Sequence, residues 1–85
     1  MRDKNVTETV FEVEVDHGVY IHKLYDVLRR KSISHNRFMR ETQTEYGTMK
    51  RYATGTIQRF DALVIDRWCH YLDCSFEDII EYRRK

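Results

Sequence analysis

Along this chain the spacing of apolar residues changes from period two to helical. From Thr7 to Val15 they alternate, with Phe11, Val13 and Val15 on one side and Glu12 and Glu14 on the other. Period two with β-branched residues predicts a half-exposed strand. Asp16-His17-Gly18 is a turn signal, and Val19-Tyr20-Ile21 returns as a second short strand. A two-stranded ribbon is marginal alone, so it packs on the helices or pairs with another chain. Residues 1–4 are a polar, frayed start.

From Ile21 to Lys31 the apolar positions Ile21, Leu24, Tyr25, Val27 and Leu28 recur at helical spacing. Arg29, Arg30 and Lys31 follow, at the end that favours cations. Ser32-Ile33-Ser34 breaks this first helix, and Ser34 is a suitable N-cap for a second, His35 to Glu41, burying Phe38 and Met39. After a break at Thr42-Gln43-Thr44, a third helix is expected from about Glu45 to Tyr52. Its buried side is Met49 and Tyr52, and Gly55 serves as a left-handed C-terminal residue. A fourth, from about Asp61 to Leu72, carries an apolar stripe of Ala62, Ile65, Trp68, Cys69 and Leu72. Ser75-Phe76-Glu77-Asp78 is a capping-box start for a fifth short helix bearing Ile79, Ile80 and Tyr82, before a basic tail, Arg83-Arg84-Lys85.

The expected fold class is therefore all-α: five helices with a short N-terminal strand or hairpin appended. With 85 residues, 41% hydrophobic and 13% aromatic, the chain has enough core formers for one small domain. The expected division is an acidic extension over 1–20 and a helical domain over 21–82. No apolar run approaches the ~18 residues of a membrane span, and the start MRDKNVTETV lacks a signal-peptide core, so a soluble cytoplasmic protein is expected. Cys69, His70 and Cys74 offer a metal three donors at most, and two are adjacent, about 100° apart on a helix. No metal or cofactor is expected, and the cysteines read as reduced core residues. No acid/base pair, nucleophile constellation or phosphate loop stands out, so an enzyme is not expected.

The net charge of +1 changes meaning once divided. Residues 1–20 carry two Lys/Arg against five Asp/Glu, net −3; residues 21–60 carry nine against three, net +6; residues 61–85 carry four against six, net −2. Positive charge concentrated around the paired short helices is a nucleic-acid footprint.

The residues that carry the pattern are Ser34, Phe38, Met39, Thr42, Thr48, Met49, Arg51, Tyr52 and Gly55. A second set follows: Ile65, Trp68, Cys69, Leu72, Cys74, Asp78, Ile79 and Ile80, within LDCSFEDIIEY from Leu72 to Tyr82. In that order and spacing the chain resembles the lambda-repressor/Cro-like, or xenobiotic-response-element type, helix-turn-helix family, in its subgroup of small bacterial and phage regulators. The resemblance covers about residues 21–82. The chain departs from the pattern at Gln43 where the turn has glycine, at Thr44 where it has an apolar anchor, and at Gly47 inside the third helix.

The resemblance implies double-stranded DNA as partner, with the third helix in the major groove. It makes Glu45, Tyr46, Gly47, Thr48, Lys50 and Arg51 the base-reading candidates. Lys50 would donate to guanine, Glu45 accept from cytosine, and Thr48 meet a thymine methyl. Tyr46 has the alternative of an aromatic lid on the core, and Glu45 that of a helix-dipole partner. Phosphate contacts would come from Ser34, His35 and Asn36 at the start of the second helix and from Thr54, Thr56 and Arg59 after the third. Arg59 has pairing with Asp61 as its alternative. One unit reads few base pairs, so a homodimer is expected, with the strand around Val10 to Val15 as the candidate pairing surface. The competing reading is a protein-interaction module, such as an antirepressor, repressor partner or antitoxin. The acidic N-terminal segment, Glu45 and Gly47 favour it.

Overall fold

The computed structural model describes residues 8–85; the polar start at residues 1–4 and Thr7, at the head of the alternating stretch, lie outside the described residues. The elements run β1 (Phe11–Val15), β2 (Gly18–His22), α1 (Leu24–Arg30), α2 (His35–Thr42), α3 (Tyr46–Thr54), α4 (Ala62–Leu72), α5 (Phe76–Ile79) and β3 (Ile80–Arg84).

The alternating stretch is a strand, and Asp16-His17 turns it into β2, with Val15 opposite Gly18 and Phe11 opposite His22. Gly18 opens β2 rather than closing the turn. It is glycine for space: a Cβ there would lie 2.5 Å from the Arg83 carbonyl oxygen and 2.6 Å from the Tyr82 hydroxyl. What passes over it is β3, which completes an antiparallel sheet of order β1-β2-β3. The fold is therefore α+β rather than all-α. The expected fifth helix is a single turn, and Ile80 to Arg84 lie beside β2 with Tyr82 opposite Tyr20. An apolar pattern at 79, 80 and 82 is too short to tell a helix from a strand. Pairing with β2 decides it, and gives the hairpin the third strand it needs.

The helices follow their caps. The Ser34 hydroxyl accepts from Arg37 N–H at 3.0 Å to start α2. The Asp61 carboxylate accepts from Leu63 N–H at 2.9 Å and Val64 N–H at 3.3 Å to start α4. Asp78 accepts from Ser75 N–H at 2.9 Å to start α5. Helix α1 begins at Leu24, not Ile21, because Ile21 and His22 belong to β2. Helix α3 runs two residues past Tyr52 and stops at Gly55, φ 85°. Leu24, Val27, Leu28, Phe38, Met49, Tyr52, Ile65, Trp68, Leu72, Ile79 and Ile80 form one buried cluster, with Trp68 and Phe38 its largest fully buried side chains. Ala62, expected on the buried stripe of α4, is exposed, and Met39 is only half-buried. Cys69 and Cys74 are free thiols, half-buried rather than fully buried. Burial, reinforced by the neighbouring Cys69, pushes the Cys74 thiol up to about 11, which makes it a poor nucleophile. No helix among the described residues is long and apolar enough to cross a membrane.

Candidate nucleic-acid interface

The break between α2 and α3 departs from the expected turn chemistry at two residues, and the structure explains both. Gln43 takes the left-handed conformation, φ 55° and ψ 47°, that glycine would adopt freely, and its N–H returns to the Met39 carbonyl. Thr44 is buried and anchors the turn through a polar relay. Trp68 Nε1–H of α4 donates to Thr44 Oγ1 at 2.9 Å. The Thr44 and Thr42 hydroxyls lie 2.7 Å apart, and Thr42 Oγ1–H donates to the Phe38 carbonyl at 2.6 Å. Every buried polar atom in the chain of bonds has a partner, so the relay replaces the missing apolar anchor without a desolvation penalty. Two further contacts tie α4 to the end of α2: Arg67 Nε–H to the Thr42 carbonyl at 2.8 Å, and the Tyr71 hydroxyl to Glu41.

The other end of α3 is held from the sheet. Buried His22 of β2 places Nδ1 2.8 Å from the Tyr52 carbonyl oxygen, so Nδ1 carries the proton and donates. The Tyr52 ring meets Trp68 edge-on at 4.8 Å, and its hydroxyl accepts from Asp61 N–H at 2.8 Å. His22, Arg67 and Trp68 thus position the helix, and only Trp68 stood out in the sequence. The other two act on carbonyls 30 and 25 residues away, which no local pattern signals.

Burial lowers the His22 pKa below its ordinary 6.5, opposed by the Tyr52 bond. A depressed histidine stays neutral when folded while its unfolded counterpart takes up a proton. Stability is therefore highest above pH 6.5 and declines as pH falls through it. Asp26, Glu41, Asp78 and Glu81, all lowered, add their losses only in the carboxylate range. A melting temperature that is level from pH 8 to about 6.5 and drops toward pH 5 is the expected result of thermal scans. A flat profile to pH 5 would contradict the clamp.

Between these supports α3 turns Tyr46, Gly47, Lys50 and Arg51 to solvent, while Met49, Tyr52 and Ala53 are buried. Tyr46 is 58% exposed, which removes its alternative as a core lid, and Lys50 Nζ lies 5.9 Å from its ring centre. Thr48 is half-buried, with Arg51 Nη2 3.5 Å from its hydroxyl. Glu45 is the exposed N-cap residue, though its side chain makes no cap hydrogen bond. Tyr46, Gly47, Lys50 and Arg51 thus share the solvent side of α3, with Glu45 exposed at its N-cap.

The second set is scattered. Ser34 caps α2, Asn36 is exposed, and His35 stacks on Tyr25 at 4.4 Å, so its ring is already engaged within the fold. The Thr54 hydroxyl donates back to the Lys50 carbonyl at 2.7 Å. Thr56 and Arg59 are exposed, and the Asp61 carboxylate accepts the first N–H groups of α4. The basic residues divide the same way. Arg29 and Arg30 both bind Asp26, at 2.8 and 3.0 Å, Arg37 binds Glu41 at 3.3 Å, and Lys23 binds Glu81 at 3.1 Å. Lys50, Arg51 and Arg59 have no carboxylate partner among the described residues.

Gly47 is not demanded by packing. A Cβ there would lie 3.4 Å from Arg51 Nη1, an ordinary contact with a movable side-chain end. Gly47→Ala should therefore raise stability by about 0.5–1 kcal/mol, seen as a higher melting temperature. A loss of stability would show that the helix needs the bare backbone for itself.

Comparison with curated proteins and with solved structures returns no match. The family model of the Cro/C1-type HTH DNA-binding domain matches residues 23–85, covering α1 to β3 and hence the whole helix-turn-helix. With the capped α2, the left-handed Gln43 and the solvent-facing α3 between its two supports, the chain belongs to the Cro/C1-type helix-turn-helix DNA-binding domain family.

Proposed function

We propose that this DNA-binding regulator is a sequence-specific, repressor-like protein that acts at the nucleoid as a homodimer, each copy laying α3 in the major groove. The observation that carries the reading is the surface of α3 itself. Tyr46, Gly47, Lys50 and Arg51 are solvent-facing, and its cations lack carboxylate partners among the described residues, whereas Arg29 and Arg30 of α1 share the Asp26 carboxylate. Lys50 and Arg51 supply donors for guanine edges, Thr48 and Tyr46 apolar and hydroxyl contacts, and Gly47 lets the backbone come close. On this reading Glu45 is an acceptor for a base edge, and Ser34, His35, Asn36, Thr54, Thr56 and Arg59 are the phosphate contacts.

Binding to an operator fragment selected from genomic DNA should weaken steeply between 50 and 200 mM salt, with a slope of about −0.9 per phosphate engaged. Lys50→Ala should cost about 1–3 kcal/mol on the operator and flatten base preference, while Arg59→Ala weakens all sequences alike. Fluorescence anisotropy on matched and scrambled duplexes measures both. No binding to any fragment at low salt abandons the reading. The second reading, a protein-interaction module, draws on exposed apolar side chains at the start of α4 and α5: Leu63 at 76%, Phe60 at 36% and Phe76 at 38% exposure.

A further inference from the structure

Between the hairpin and the loop that follows α3 lies a cavity of about 440 Å³. That falls within the ~300–1,000 Å³ of small-molecule sites. β1 contributes Val13 and Val15 to its walls, β2 contributes Tyr20 and His22, and the loop contributes Ile57 and Phe60. The three rings make one aromatic wall. Tyr20 and Phe60 meet edge-on at 6.0 Å, and the His22 ring lies 6.4 Å from each of them.

One polar atom of this wall has no use in the fold. His22 is 2% exposed, and its Nδ1–H is committed to the Tyr52 carbonyl at 2.8 Å. Burial favours the neutral ring, so Nε2 keeps a lone pair and can only accept. Its one hydrogen bond among the described residues is the one at Nδ1, and nothing there donates to Nε2. The Nε2–Cδ2 edge of the ring faces Gly55, which also lines the cavity, and a Cβ on Gly55 would lie 3.2 Å from Nε2. A buried acceptor without a donor is costly, which favours an occupant that brings one.

We propose that this cavity binds a small planar aromatic molecule that carries one N–H or O–H donor and no negative charge. The ring of the ligand packs on Tyr20, Phe60 and the two valines, where aromatic walls favour stacked or edge-on contact. Its donor meets His22 Nε2. Two other ligand classes fit less well. A hydrocarbon fills the same walls but leaves Nε2 unpartnered. A carboxylate or phosphate sets oxygen lone pairs against that of Nε2, and no Lys or Arg lines the cavity to meet its charge. Both ring nitrogens belong to one tautomer, so a donor on Nε2 also locks Nδ1–H onto the Tyr52 carbonyl and steadies the end of α3. The site stands apart from what α3 reads on DNA.

Indole and benzofuran test the site, because they share a shape and only indole has the donor. In an NMR titration of the isotope-labelled chain, indole should saturate, with amide shifts at Tyr20, His22, Thr56, Ile57 and Phe60. The His22 Nε2 resonance should move as it accepts a hydrogen bond, and the melting temperature should rise with indole concentration. Benzofuran should bind about 10-fold more weakly, the worth of one hydrogen bond to a buried acceptor, and the indoleacetate anion should also bind more weakly than indole. His22→Phe should bring indole down to the level of benzofuran, with circular dichroism melts establishing that the variant folds. If it does not fold, the Nε2 resonance of the wild-type chain decides. Equal affinity for indole and benzofuran, an Nε2 resonance unmoved at saturation, shifts centred on the exposed Leu63 and Phe76, or no saturable binding overturns the proposal.

Discussion

Replacing Gly55 with alanine should cost about 3 kcal/mol and lower the melting temperature by roughly 15 °C. Two effects add. Gly55 ends α3 at φ 85°, a left-handed conformation that costs an L-residue about 1–2 kcal/mol. A Cβ at this position would also lie 2.4 Å from Val13 Cγ2 and 2.9 Å from His22 Cδ2, so β1 and β2 would have to withdraw from the end of α3, an overpacking cost of about 1–3 kcal/mol. Gly55→Asn separates the two. Asparagine tolerates the left-handed conformation better but brings the same Cβ, so it should recover little. Gln43→Gly, at φ 55°, should instead stabilise the protein by about 1 kcal/mol. Thermal unfolding followed by circular dichroism measures all three. If Gly55→Asn behaves like wild type, the hairpin does not press on α3 as described.

Thr44→Val should cost about 2 kcal/mol although it preserves shape, because it strands the Trp68 indole N–H in the core. The relay to Thr42 loses its middle member as well, though Thr42 keeps its bond to the Phe38 carbonyl. The decisive measurement is a double-mutant cycle with Trp68→Phe. Removing donor and acceptor together leaves nothing stranded, so the pair should cost less than the sum of the singles. Strict additivity would show that Thr44 acts by volume alone. Because the relay sets the start of α3, DNA affinity of Thr44→Val should fall even at temperatures where the variant is folded.

The helix-turn-helix was the most legible part of the chain. Its signals are local: Ser34 and Ser75 with Asp78 as caps, Gly55 as the left-handed stop, and Phe38, Met49, Tyr52 and Trp68 on helical spacing. The solvent face of α3 was legible for the same reason, since residues 46, 47, 50 and 51 share the side opposite Met49 and Tyr52. What surrounds that face was not. The charge division credited Lys23, Arg29, Arg30 and Arg37 to one basic surface, but each meets a carboxylate in the fold, which leaves the cations at the end of α2 and on and after α3 more exposed by comparison.

By itself the sequence determined that α2, α3 and α4 are helices and that Phe38, Met49, Tyr52, Ile65, Trp68 and Leu72 are on their buried sides, because caps and periodicity act within one or two turns. Only the tertiary structure decided that Ile80 to Arg84 form a strand, since five residues carry no preference strong enough to resist pairing with β2. It also decided what holds α3: Thr44 finds Trp68 across 24 residues, and His22 finds the Tyr52 carbonyl across 30. Those bonds form only when distant segments share a dry core, where an unpartnered donor costs more than it does in water.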